Sequence, residues 1–170
     1  MKRVIINILK IINHMVQFTL IGIALTAIVL WLIGIRPYIV RSGSMEPTIM
    51  TGSVCFVNHN TKFEEIQEND IIAFELGGGT MVTHRAVKIS PDGIITKGDN
   101  NNTEDGIPVT AGNFIGKTVY WIPNLGIWIM RLKSVPGIVM LVTFVIFLIF
   151  VDILLDSNEP KDDNLQESQK

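Results

Sequence analysis

Twenty consecutive residues without a charge, Val16 to Ile35 (VQFTLIGIALTAIVLWLIGI), constrain this 170-residue chain more than any other feature. At about 1.5 Å rise per residue a helix of that length spans the roughly 30 Å hydrocarbon core of a bilayer, so a transmembrane helix is expected over 16–35. A secretory signal peptide competes for such a run, but its apolar region is about 7–15 residues long and a small-x-small cleavage site comes after it. Here Arg36, Pro37 and Tyr38 come next, and an uncleaved anchor is expected. Lys2, Arg3 and Lys10 precede the run while Arg36 and Arg41 lie beyond it. By the positive-inside rule residues 1–15 are then cytoplasmic and the segment after the anchor lies outside.

A second apolar run, Val135 to Val151, is extended upstream by Leu125 to Met130 and gives an expected second span over 134–152. Trp121 and Trp128 before it suit an interfacial belt, although Arg131 and Lys133 on the outer side oppose the charge rule. The polar stretch 153–170 is expected to be a disordered tail without chemistry. Lys+Arg 14 against Asp+Glu 16 leaves a net charge of −2, which excludes the electrostatic footprint of a nucleic-acid binder. Cys55 is the single cysteine, so neither an intrachain disulfide nor a cysteine-rich zinc module is available; it is read as a core residue.

The intervening residues 36–133 have a different texture. The runs at 53–58, 70–74, 81–89, 93–97 and 114–121 are rich in Val, Ile, Thr, Phe and Tyr, and they are broken by Gly77-Gly78-Gly79, Ser90-Pro91-Asp92-Gly93 and Gly98-Asp99-Asn100. The expected fold class is therefore mostly β: a small extracytoplasmic β-domain over 36–133, carried by the N-terminal membrane helix and a C-terminal one. Ser90 to Gly93 is the clearest hairpin turn.

Three stretches in this domain carry residues suited to chemistry. In Arg41-Ser42-Gly43-Ser44-Met45-Glu46-Pro47-Thr48 a hydroxyl follows a glycine in a tight segment, although loop composition alone fits an ordinary Ser-Gly-Ser loop equally well. The stretch lacks the second glycine of a G-x-S-x-G elbow. His84 lies in a strand-like alternation with Val82, Ala86 and Lys88, where an imidazole is either a half-buried core residue or a base for a hydroxyl. His14, at the edge of the first span, and His59, in a polar loop, have no evident partner, while Lys88 and Lys97 are alternative bases. Lys97 to Asp105 (KGDNNNTED) supplies carboxylates able to orient an imidazole. It equally suits a solvated turn, and it lacks the order of a calcium-binding loop.

Taken in chain order, SGSMEPT, THRAV and KGDNNNTED resemble the sequence boxes of the type I signal peptidases, membrane-bound serine endopeptidases that remove signal peptides. The resemblance covers about residues 16–121. His84 stands where the usual bacterial branch has a lysine, and this matches the endoplasmic-reticulum-type (Ser-His) branch, which also occurs in archaea and, as the W-type enzymes, in some Gram-positive bacteria. The resemblance implies a signal-peptidase-type β-domain with Ser44 as nucleophile and His84 as general base. It implies an essential acid at Asp105, a second acidic position of less defined role at Asp99, and an oxyanion hole formed by the Ser42 hydroxyl with the Ser44 backbone N–H. It implies no cofactor and no metal. The implied partners are preprotein signal peptides cut after small-x-small motifs, the lipid bilayer and the secretion translocon. The competing reading from another class is a non-catalytic bitopic membrane sensor or scaffold, and a closer rival is a self-cleaving Ser-Lys peptidase of the related repressor type, which the two spans disfavour.

Overall fold

The computed structural model describes residues 2–157. The part of the expected tail from 158 to 170 lies outside the described residues. The elements, in chain order, are α1 (Lys2–Leu32), β1 (Ile35–Ile39), β2 (Val54–Asn58), a single 3-10 turn (Phe63–Glu65), β3 (Ile71–Leu76), β4 (Thr80–Ser90), β5 (Gly93–Lys97), β6 (Phe114–Ile122), α2 (Leu125–Lys133) and α3 (Val135–Ser157). They form two compact units: Ile28–Arg131, which holds the sheet, and a helical unit built from the segments before and after it.

The sheet has six strands in the order β1-β2-β6-β3-β4-β5, and each neighbouring pair is antiparallel. The five β-rich runs of the sequence all become strands. A sixth, β1, occupies residues that the hydropathy pattern assigns to the end of the first span and to the start of the segment beyond it. The helix stops at Leu32 because Gly34 takes a left-handed conformation (φ 79°) at its C-terminus. Asn60 Nδ2 donates to the Ile33 carbonyl, and Ile35 already pairs with Asn58. Apolarity continues through this junction, so hydropathy alone does not mark it.

Side-chain alternation explains where the core lies. On one face of β3, Ile72 and Phe74 pack with Ala86, Ile94, Val109 and Ile66; on the other, Ile71 joins Met45, Ile49 and Cys55, with Val40 and Trp121 against them. A strand buried on both sides explains the unbroken apolar stretch Ile71 to Phe74. Cys55 is fully buried, and that burial pushes its thiol up to about 11, in keeping with a core role.

In the helical unit, α1 and α3 are each long and apolar enough to cross a membrane. Apolar side chains project from α3 in all directions, and most of the large ones are exposed. That is the pattern of a helix whose solvent is lipid. Asp152, the last residue of the expected span, lies inside α3, where it accepts from His14 Nε2 at 3.1 Å and Asn13 Nδ2 at 3.4 Å; Lys10 meets Asp156 at 2.7 Å. Asn13 Nδ2 also donates to the Leu148 carbonyl. Residues 2–15, read from sequence as an N-terminal segment before the span, are the first turns of α1.

Candidate active site

The turn that carries Ser44 hangs between β1 and β2. Its mouth is closed by the Val40 N–H to Ser53 carbonyl bond and the Gly52 N–H to Val40 carbonyl bond, each 2.9 Å. Met45 and Ile49, both essentially inaccessible, plug it into the core, and Glu46 Oε1 accepts from the Thr51 backbone and hydroxyl. Those two bonds hold the Glu46 carboxyl below its ordinary range. With Met45 directed inward, its neighbour Ser44 stays at the surface.

His84 enters from β4. Its Cα is opposite Ile72 of β3, so its ring lies on the Ile72 and Phe74 face and makes an edge contact with Phe74. Its Nε2 is 3.0 Å from Ser44 Oγ and its Nδ1 is 2.7 Å from Asp105 Oδ2. Asp105 is brought there because its backbone N–H pairs with the Thr96 carbonyl at the end of β5, next to β4. The fully buried Thr96 hydroxyl donates to the same Asp105 oxygen at 2.6 Å. Ser44 Oγ therefore stands at one end of a line of bonds running through an imidazole to a carboxylate. A carboxylate acceptor on Nδ1 favours the tautomer with its proton on Nδ1, which leaves Nε2 free to accept. Ser42 Oγ lies 3.3 Å from Ser44 Oγ.

Asp99 has a different role in the geometry. Arg85 grips it with two bonds, Nε to Oδ1 at 2.8 Å and Nη2 to Oδ2 at 2.6 Å, while Arg85 Nη1 donates to the Asn69 carbonyl. The Arg85 hydrogen bonds, helped by the Thr48 hydroxyl and the guanidinium charge, hold the Asp99 carboxyl below its ordinary range. Adjacent strand residues point to opposite faces, so His84 and Arg85 each take one of the two acids.

A carboxylate with a lowered value stabilises the fold fully above the unfolded range near 4, and that stabilisation disappears as pH falls through the lower folded value. Asp99→Asn is accordingly expected to cost about 2 kcal/mol at neutral pH. The melting curves of variant and wild type should converge in acid, and differential scanning calorimetry across pH checks both statements.

The other histidines are used elsewhere. His59 Nε2 is 2.9 Å from Tyr38 Oη; burial first, then the Arg36 charge, lower its value. His14 bonds Asp152. Among the described residues the hydrogen-bond partners of Ser44 Oγ are His84 and Ser42, so neither Lys88 nor Lys97 reaches it. No group of three or more His, Cys, Asp or Glu side chains gathers as a metal-ligand set among the described residues.

Two contributors escape a reading of the sequence. Thr96 looks like any polar strand position. Asn100 looks like loop filler, yet its backbone N–H donates to the Ser44 carbonyl at 2.8 Å and its side-chain amide to the Gly43 carbonyl at 3.2 Å. Gly98 lies so close that an added Cβ would stand 2.6 Å from the Ser44 carbonyl oxygen. The only sequence signal for this clamp is a glycine directly before a run of short polar residues.

Residues 11–119 match the family model described as signal peptidase, peptidase S26. The signal peptidase I W of Bacillus subtilis is 45% identical over 78 residues, 44% of this chain and 41% of that protein. The signal peptidase complex catalytic subunit SEC11 of Colletotrichum graminicola is 29% identical over 110 residues, 58% of this chain and 64% of its own. That of Eremothecium gossypii is 33% identical over 73 residues, 39% and 42%. Each match spans less than two thirds of the relative's length.

Proposed function

This chain belongs to the signal peptidase family S26, and from that membership we propose that it is a membrane-anchored serine endopeptidase that cleaves signal peptides from secreted preproteins after small-x-small motifs. The observation that carries the reading is the continuous line from Ser44 Oγ through His84 to Asp105. Ser44 Oγ attacks the scissile carbonyl while its proton passes to His84 Nε2. Asp105 stabilises the imidazolium that results, and Thr96 keeps the Asp105 carboxylate turned toward it. The oxyanion is received by the Ser44 backbone N–H, for which the described residues offer no acceptor, and by the Ser42 hydroxyl. His84 then returns its proton to the departing amine, and water releases the acyl group from Ser44. Asp99 acts through Arg85, bracing the loop that presents Asp105.

The same reading makes the protein two-spanning, with both ends in the cytoplasm and the β-domain outside. The pairing of Lys10 with Asp156 and of His14 with Asp152 supports it, because it aligns the start of α1 with the end of α3. An extended substrate is accommodated by strand addition. The first half of β4 offers an edge for it, since pairing with β5 begins only at Arg85, beside the catalytic histidine. The translocon is a natural neighbour for such an enzyme, as the source of its substrates.

The test is cleavage of a secreted precursor by the detergent-solubilised protein, with N-terminal sequencing of the product. A cut after a small-x-small site supports the reading, and an intact precursor or a cut elsewhere overturns it. In the same assay Ser42→Ala is expected to lower kcat by about 10²-fold with little change in KM, as the loss of one oxyanion donor does elsewhere.

A further inference from the structure

On the reading that Ser44 is the nucleophile, we propose that Asn100 is a positioning residue that aims the oxyanion-binding N–H. The Gly43–Ser44 peptide is planar, so its carbonyl and its N–H point in opposite directions and turn together. Whatever holds the Gly43 carbonyl also directs the Ser44 N–H. Two donors hold it: the Glu46 N–H at 3.1 Å, from within the same turn, and Asn100 Nδ2 at 3.2 Å, from the separate loop after β5. Gly43 has no side chain to resist rotation of this plane, so a clamp from outside the turn has something to do. The plane's other half needs that clamp, because the Ser44 N–H has no acceptor of its own among the described residues.

The Asn100 backbone keeps the two loops together independently of its side chain. Its N–H donates to the Ser44 carbonyl, one peptide further on, and the close approach of Gly98 to that same oxygen seats the loop against the turn. Truncating the side chain thus removes one donor and leaves the contact between the loops. The geometry differs from that of a substrate-binding group, since the amide is spent on the Gly43 carbonyl and acts only through the peptide it orients.

The experiment uses the full chain in detergent, with a precursor substrate and a peptide aldehyde ending in Ala-x-alaninal, whose tetrahedral hemiacetal with Ser44 puts its oxygen where the transition-state oxyanion sits. Asn100→Ala is expected to lower kcat by about 10- to 100-fold, to leave KM within about twofold, and to weaken the aldehyde by the same factor as kcat/KM. Asn100→Asp, of the same shape but with an acceptor facing the carbonyl, should be at least as impaired. An Asn100→Ala enzyme with wild-type kcat overturns the proposal, and so does a loss of kcat without matching loss of aldehyde affinity, which would mark a merely structural role. Cleavage by Ser44→Ala would overturn the nucleophile assignment together with this proposal. A dead Ser44→Ala beside an unimpaired Asn100→Ala would overturn this proposal alone.

Discussion

Ser44→Ala is expected to reduce precursor cleavage by about 10⁵- to 10⁶-fold, with His84→Ala as severe and the double variant no worse than either single one. The reason for the missing additivity is in the geometry. Ser44 Oγ and His84 Nε2 are 3.0 Å apart, and in the proposed mechanism they act as one unit, so that removing either leaves the other nothing to do. The residual rate is that supplied by substrate binding and the oxyanion donors, which both variants keep. The side chains also differ in their structural cost. Ser44 is part-exposed and its loss is expected to leave the melting temperature unchanged, whereas His84 is buried against Phe74 and its truncation opens space in the core. Measuring single-turnover cleavage beside thermal unfolding separates the two effects. A Ser44→Ala protein that cleaves at the wild-type rate would show that the nucleophile lies elsewhere.

Asp105→Asn is the second large effect, an expected loss of about 10⁴-fold in kcat with the substrate still bound. Asp105 Oδ2 receives two donors at once, His84 Nδ1 at 2.7 Å and the Thr96 hydroxyl at 2.6 Å. An amide fails there in either orientation. With its oxygen toward the ring it carries no charge to stabilise the imidazolium. With its nitrogen toward the ring it donates to Nδ1, drives the proton to Nε2, and removes the acceptor that Ser44 needs. Asp99→Asn in the same assay should lose far less, since its carboxylate is occupied by Arg85. Equal losses for the two variants would contradict the division of labour between the acids.

The comparison of Asp99 with Asp105 shows where a reading of the sequence reaches its limit. Both acids stand in one polar loop six positions apart, and nothing in their spacing distinguishes them. The distinction comes from a backbone bond, the Asp105 N–H to the Thr96 carbonyl, which returns the loop to β5 just where β4 holds His84. It comes as well from the alternation of β4, which turns Arg85 away from His84 to receive Asp99. The first strand is a similar case. Ile35 to Ile39 continues the apolarity of the anchor, and only the left-handed turn at Gly34 and the pairing with β2 make it part of the sheet. Thr96 and Asn100 were illegible for a related reason: each acts through a partner outside its own stretch, Thr96 on Asp105 across the loop after β5 and Asn100 on Gly43, 57 residues back.

The sequence by itself determined the features that depend on local pattern. The uncharged runs dictate membrane-length helices because a bilayer fixes the length of apolar chain it accepts. The β-branched runs and their turn residues dictate five of the six strands. The three motifs, in their order, name a serine, a histidine and a pair of acids. Tertiary structure alone decided which acid meets the histidine, that the serine turn is plugged by Met45 and Ile49, and that Asn100 clamps the peptide before Ser44. Those are contacts between segments up to 57 residues apart, set by sheet register and loop path, and single hydrogen bonds of that kind leave no periodicity in the chain that makes them.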